Sequence, residues 1–294
     1  MPDLRRIVRS MVHRLPWGIP AISMISFGAF AVLAYLRVAW PITTSVAAFF
    51  AYGFFVWGYS VHALRNVRYP SLDHLHRRKY AEVWDTLAAS SSEARTAACG
   101  SQSESVVRES AAVPVKNITD LAGIHQDDNV LEIGCGVGRI GRELASRCAS
   151  WTGTDISINM LAEARRRLSE LPNVHLVRLE KTGLETLHSE AFDLVYSTNM
   201  FDHLDEIDRW LYVRDAFRVL RSGGRLYVDN IDIESERGWI AFARGAEVLG
   251  DLERPAFQPR PTTAAELATY ARRAGFVQVS THTREPLVIL TARK

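Results

Sequence analysis

The segment from Asn129 to Ile140 constrains the fold of this chain more than any other. It opens with a mostly apolar run, typical of a strand that is covered on both faces. Three alternating glycines follow at 134, 136 and 138, and glycine lets a ligand approach the backbone closely. Residues 139–147 then have helical apolar spacing, so a helix N-terminus is expected to face the turn. The segment therefore predicts a strand, a ligand-binding turn and a helix.

The spacing of the glycines distinguishes between nucleoside-bearing ligands. A dinucleotide site has the spacing G-x-G-x-x-G, whereas here the third glycine comes one residue earlier and Arg139 stands in its place. Glu132, inside the strand, suits a cationic ligand better than a pyrophosphate. A second strand runs from Trp151 to Asp155, and its terminal carboxylate is placed to accept both hydroxyls of a ribose. These features favour a cationic nucleoside as the ligand.

The E-x-G-x-G-x-G pattern from Glu132, together with Asp155, resembles motifs I and II of the class I S-adenosylmethionine-dependent methyltransferases. The resemblance covers residues 128–294 and includes the family's fourth strand, fifth strand and start of the sixth at 192–197, 218–228 and 274–276. It implies a Rossmann-like, doubly wound α/β domain over residues 113–294, with a seven-stranded, mostly parallel sheet and an antiparallel last strand. It also implies methyl transfer with S-adenosyl-L-methionine as the cofactor.

By this resemblance, the cofactor is held by the glycine turn, by residues near Asp155 and by two later loops. Met160 matches the family residue that packs near the adenine, and it suits a plain core position equally well. The family usually has an Asp after the third strand, but residues 180–185 contain none, so Glu185 or the backbone near Gly183 is expected to replace it. The expected cofactor-binding residues are Glu132, Gly134, Cys135, Gly136, Gly138, Asp155, Ile156, Met160, Gly183, Leu184 and Asn199.

The loops after the fourth and fifth strands are the expected acceptor site, because ligands of such sheets bind at the carboxyl ends of strands. A hydroxyl acceptor needs positioning and benefits from a general base of near-neutral pKa. His203 has the best-suited side chain, although in many family members a His here orients the loop. Asp229 and Asn230 are the other catalytic candidates, placed to bind a sugar diol. Residues 235–261 are expected to form an irregular lid lined with aromatic residues, although Trp239 and Phe242 equally suit a core.

The first third of the chain contains two long uncharged runs, at 17–36 and 38–61. Each is long enough to cross ~30 Å of hydrocarbon as a helix, which takes about 20 residues. Pro41 fits the first turn of a second helix. Residues 1–64 are therefore predicted to form a basic segment and a transmembrane hairpin, with helices at 17–36 and 41–61.

Basic residues flank this hairpin on both sides, whereas only Arg37 lies in its turn. The positive-inside rule then places both termini and the catalytic domain in the cytoplasm, as a multi-pass protein of the cell (inner) membrane. A hairpin lying in one leaflet, a buried helical pair and a secretory signal are the alternatives. Residues 65–112 are predicted to be a juxtamembrane linker with N-terminal helices, and the Ser- and Ala-rich stretch 88–109 is either flexible or folds over the cofactor site.

Composition argues against other classes of partner. Lys plus Arg (35) nearly balances Asp plus Glu (33), so no nucleic acid is expected. Cys99, Cys135 and Cys148 have no metal-ligand spacing, which is typical of reduced thiols. His74 and His76 lack suitable partner ligands nearby, and no metal site is expected.

These features predict a membrane-anchored methyltransferase that acts at the cytoplasmic face. The simplest reason for a tether is an acceptor in the membrane, such as a glycolipid sugar, a polyisoprenoid or a quinone-type molecule. The polar side chains at 229–232 favour O-methylation. A tethered enzyme with a soluble acceptor, a non-catalytic scaffold that binds S-adenosylmethionine and a nicotinamide enzyme are the alternatives.

Overall fold

The computed structural model describes residues 52–53, 79–250 and 254–294. Apart from residues 52–53, the predicted hairpin lies outside this part of the chain, as does the linker up to residue 78. Among the described residues, the structure contains no helix with the length and apolarity that a membrane crossing requires. Arg77–Lys294 forms one compact unit, which is the part of the molecule considered below.

Four helices of this unit precede its sheet: α1 (Tyr80–Leu87), α2 (Ser91–Cys99), α3 (Glu104–Glu109) and α4 (Ala112–Leu121). The Ser- and Ala-rich stretch is therefore mostly helical. Ser90 caps α2 by accepting a hydrogen bond from the backbone N–H of Glu93, and Gly100 ends this helix in the left-handed conformation. Serine caps and a terminal glycine are the usual helix boundaries.

Strands and helices alternate through the rest of the chain, as the sequence predicts. The strands are β1 (Asn129–Ile133), β2 (Ser150–Asp155), β3 (Val174–Arg178), β4 (Phe192–Ser197), β5 (Leu220–Ile231), β6 (Val277–Arg284) and β7 (Leu287–Arg293). The intervening helices are α5 (Arg139–Leu144), α6 (Ile158–Arg167), α7 (Glu206–Val219), α8 (Glu236–Leu249) and α9 (Ala264–Ala274).

One seven-stranded sheet holds these strands in the order β3-β2-β1-β4-β5-β7-β6. The strands β1 to β5 pair in parallel, whereas β7 runs antiparallel to both β5 and β6. The predicted Rossmann-like, mostly parallel sheet is confirmed. Because the order reverses between β1 and β4, a crevice is expected at the carboxyl ends of these strands.

Residues 235–261 differ from the expected irregular lid, because α8 occupies Glu236–Leu249. Ser235 caps this helix by accepting a hydrogen bond from Gly238 (3.0 Å), and most of the residues that follow are good helix formers. The aromatic residues had suggested a lid or core, but the ring of Trp239 is 57% exposed.

Trp151 is the largest fully buried side chain of the sheet. A Cβ atom added to Gly141 on α5, or to Gly153 on β2, would collide with its indole ring. The two glycines thus provide the space that the ring occupies. The indole N–H donates a hydrogen bond to the hydroxyl of Tyr196 on β4 (2.9 Å), so the ring joins two strands of the core.

Candidate active site

A cleft lies at the carboxyl ends of β1, β2 and β4, where the strand order reverses. Its empty space is about 960 Å³, including the part that is open to solvent. The predicted site residues that line it are Glu132, Gly134, Cys135, Gly136, Asp155, Ile156, Met160, Asn199 and His203. The structure therefore brings together residues from both motifs and from the loop after β4.

The three glycines of the turn all have positive φ angles, of 73°, 52° and 74°, yet they have different neighbours. A Cβ atom at Gly134 would collide with Met200, and one at Gly138 would collide with Leu168. At Gly136 the same atom would meet nothing within 4 Å. Gly136 is therefore the position that leaves room for a ligand, whereas the other two leave room for side chains of the fold.

Asp155 lies at the end of β2 and holds the two loops beside it. Its carboxylate oxygens accept hydrogen bonds from the backbone N–H groups of Gly136 and Ser157, both at 2.9 Å. Burial raises the pKa of Asp155 to about 6, although these two bonds act in the opposite direction. Each carboxylate oxygen can accept a second bond. The side chain therefore fits the predicted contact with a ribose.

Glu132 ends a buried chain of hydrogen bonds that crosses three strands. The hydroxyl of Tyr196 donates to Glu132 (2.7 Å) and itself accepts from Trp151. Burial raises the pKa of Glu132 to about 8, and this outweighs the opposing effects of the Tyr196 bond and the nearby Arg139. A cation bound in the cleft would favour the ionised carboxylate, so Glu132 fits the cationic ligand that the sequence predicts.

The raised pKa of Glu132 should make the stability of the protein depend on pH, and Glu132→Gln should weaken this dependence. Glu132 has a pKa of about 8 in the folded protein and an ordinary pKa of 4.5. Its contribution to stability is therefore fully present below pH 4.5 and is lost as the pH rises through about 8. Between about pH 5 and 8 this group should remove up to ~1.4 kcal/mol of unfolding free energy per pH unit.

Thermal unfolding of ligand-free wild type and Glu132→Gln over this range measures the effect. The melting temperature of the wild type should fall relative to that of the variant as pH rises. Burial also raises the pKa values of Asp155 and Asp229, to about 6 and about 7, so the variant keeps part of the slope. Parallel pH profiles would contradict the raised pKa of Glu132.

The three catalytic candidates occupy two different kinds of position. His203 lines the cleft, but Asp229 and Asn230 do not. Asp229 is 1% exposed and accepts hydrogen bonds from the backbone N–H of Asn199 (2.8 Å) and the hydroxyl of Tyr227 (3.3 Å). Asp229 therefore holds the backbone of the loop that contains Asn199. Burial raises its pKa to about 7 despite the bond from Asn199.

Asn230 is equally buried, and within the described part of the chain neither polar atom of its amide has a hydrogen-bond partner. Both residues lie within the part of β5 that pairs with β7, and this pairing continues past them to Ile231. The expected surface for a sugar diol is thus covered by the sheet itself.

The loop after β3 also differs from the expectation. Leu184 is fully buried, and its backbone N–H donates to the carboxylate of Asp215 on α7 (2.8 Å). Neither Gly183 nor Leu184 lines the cleft, whereas Leu179 does, together with Ile156 and Met160. Apolar side chains thus replace the missing Asp as the surface available to an adenine.

Helix α1 contributes side chains that no local sequence pattern had indicated. Tyr80 lines the cleft and donates a hydrogen bond to Asp208 on α7 (3.0 Å). Asp85 accepts a hydrogen bond from the hydroxyl of Ser157, the cap of α6 (2.6 Å). Of the other lining residues, Ala97 and Ala98 belong to the Ser- and Ala-rich stretch and Thr198 and Met200 to the loop after β4, whereas the sequence had not indicated Trp84, Arg139 and Tyr212.

Comparison with known proteins gives these residues a family context. Residues 130–224 match the model of a methyltransferase domain. The ubiquinone biosynthesis O-methyltransferase of Nitrosomonas europaea is 27% identical over 164 residues, which cover 55% of this chain and 68% of that protein. The protein of the same name from Pseudomonas aeruginosa is 30% identical over 156 residues, or 50% of this chain and 63% of that one.

A putative methyltransferase from Bacillus halodurans has a similar fold, with a TM-score of 0.51 at 14% identity over 62% of this chain and 99% of that one. The matched region contains the glycine turn and Asp155. The chain is an S-adenosylmethionine-dependent methyltransferase with a class I domain.

Proposed function

We propose that this methyltransferase O-methylates a lipid-linked or membrane-associated small molecule, and that the acceptor is a quinone-type phenol rather than a glycolipid sugar or a polyisoprenoid. The observation that carries the proposal is the position of His203 in the wall of the cofactor cleft, since a hydroxyl acceptor needs a nearby base. The similar proteins named ubiquinone biosynthesis O-methyltransferase support a phenolic acceptor.

Bound S-adenosylmethionine would supply an activated methyl group, whose bond to sulfur breaks as the bond to the acceptor oxygen forms, leaving S-adenosylhomocysteine. Glu132, Gly136 and Asp155 would hold this cofactor in the cleft. His203 would accept the proton of the acceptor hydroxyl. The carboxylate of Asp202 lies beside this ring, 3.7 Å from Nε2 of His203.

Two features support an acceptor in a membrane. The uncharged runs at 17–36 and 38–61 are long enough for a hairpin that anchors the enzyme. Helix α8 also exposes Trp239, Ile240 and Val248, each by more than half. Trp239 and Phe242 lie one turn apart on this helix with their ring centroids 5.6 Å apart, and aromatic side chains on one helix face are typical of surfaces that contact lipid or protein. Both features favour an enzyme that meets its acceptor at the cytoplasmic face of the bilayer.

Methyl-labelled S-adenosylmethionine tests this proposal when the full chain is incubated with native membranes. We expect label in a lipid-extractable product that survives mild alkali, as a methyl ether does and a methyl ester does not. The Asp155→Ala protein is the control for background transfer. Label confined to water-soluble molecules would overturn the assignment of a lipid-linked acceptor. Label released as methanol by mild alkali would overturn the assignment of a methyl ether.

Deletion of residues 1–64 tests the anchor separately. The shortened protein should leave the membrane fraction and still bind the cofactor, because the cleft is built within Arg77–Lys294. A shortened protein that stays with the membrane would show that the hairpin is not the only anchor.

A further inference from the structure

A second cavity lies beside the cofactor cleft and shares a wall with it. The side chains of Trp84, Leu87, Thr96, Gln102, His203 and Phe257 line this cavity, together with neighbours on α1 and α2. Trp84, Ala97 and His203 also line the cofactor cleft. The two cavities therefore meet at these three residues.

Two aromatic rings form most of the shared wall. The centroids of Trp84 and His203 are 4.8 Å apart, and their planes meet at 71°, which is an edge-to-face contact. Asp85, the residue after Trp84, accepts the hydrogen bond from Ser157, which fixes the backbone of α1 beside the cavity. Nδ1 of His203 is buried and has no partner among the described residues. Such an atom is usually satisfied by a ligand or an ordered water.

The chemistry of the lining matches a particular kind of acceptor. Trp84 and Phe257 offer aromatic surface, and ring pairs at such sites are stabilised beyond their buried area. Thr96 and Gln102 offer polar groups to ring hydroxyls, and Phe257 is 46% exposed. An apolar substituent on the ring would pack against Phe257.

We propose that this second cavity, here called the acceptor pocket, holds the hydroxyl-bearing aromatic ring of the acceptor, and that Trp84 is a residue that determines its specificity. The inference rests on the proposed function, because it takes the acceptor to be a phenol. It adds the location of the ring, the wall against which the ring packs and the side of the pocket toward which an alkyl substituent extends.

Trp84→Leu tests this assignment, since it keeps apolar bulk but removes the ring. The probes are catechol and a catechol with a short alkyl chain, added to the full-length protein saturated with S-adenosylhomocysteine. We expect ~10-fold weaker binding of both catechols by calorimetry, from the loss of one aromatic contact and its buried area. In turnover, KM for catechol should rise more than kcat falls.

Trp210→Leu is the matched control, because Trp210 packs against Tyr270 (6.2 Å) and lines neither cavity. It should bind catechols as the wild type does. If Trp84→Leu also binds the catechols as tightly as the wild type does, the assignment of the acceptor pocket is wrong. The proposed function still stands in that case, as long as the wild type methylates a phenol. A wild type that binds and methylates no phenol would overturn both.

Phe257→Ala gives an independent measurement if Trp84→Leu does not fold. Because Phe257 is partly exposed, its loss should leave the fold intact. We expect weaker binding of the alkyl catechol, with little change for catechol itself. Equal affinities for the alkyl catechol in this variant and the wild type would contradict the proposed position of the substituent and with it the pocket.

Discussion

Replacing Asp155 by alanine is expected to weaken the binding of S-adenosylmethionine and S-adenosylhomocysteine by ~100-fold or more. A hydrogen bond to a charged group contributes roughly 1.5–3 kcal/mol, and about 1.4 kcal/mol corresponds to a factor of ten in affinity. We expect Asp155 to accept ribose hydroxyls, and it accepts hydrogen bonds from the backbone N–H groups of Gly136 and Ser157. Its removal should therefore affect both the ligand contact and the shape of the turn.

Calorimetry of the full-length protein with S-adenosylhomocysteine measures this effect. Asp155→Asn, which keeps one acceptor oxygen and the size of the side chain, should lie between alanine and wild type. Asp120→Ala is a matched control, because Asp120 is an exposed residue of α4 that pairs with Lys116 and does not line the cleft. Unchanged affinity in Asp155→Ala would refute the ribose contact.

Replacing His203 by alanine should lower kcat by ~100-fold or more, because a positioned general base contributes 10²–10⁴-fold. The affinity for S-adenosylhomocysteine should change little, since the glycine turn and Asp155 remain intact. His203 lies beside Asp202 and against Trp84 in the wall of the cleft, so its replacement should remove the proposed proton acceptor.

Single-turnover kinetics with saturating acceptor separates this effect from binding. His188→Ala is the control, because His188 lies on the surface and lines no described cavity. If His203→Ala turns over at the wild-type rate, the residue orients the loop and another group accepts the proton. Unaltered kcat with weaker acceptor binding would assign His203 to positioning alone.

The elements of the domain were predictable because their signals are local. The alternation of apolar residues and the glycines at 134–138 marked β1, its turn and α5, and Asp155 follows within the same unit. The glycine pattern alone did not show which of the three glycines faces the ligand. Only the packing of Met200 and Leu168 shows that Gly136 is the one that faces open space.

The parts of the site that the structure places away from the cleft, or that the sequence did not indicate, depend on contacts between distant segments. Asp229 and Asn230 are buried in the part of β5 that pairs with β7, and Leu184 is held by Asp215 of α7. No pattern within a few residues contains that information. Trp84 was overlooked for the same reason, since its position at the cleft depends on contacts of α1 with α6 and α7.

Trp151 shows how positions far from any ligand can govern the cofactor site. Its ring fills the space left by Gly141 and Gly153, and its N–H supports the hydroxyl that contacts Glu132. A methyl group added at either glycine would therefore displace the indole and disturb an acid in the cleft. The three positions can change in evolution or design only as a set, so stabilising glycine-to-alanine replacements should avoid this α5–β2 junction.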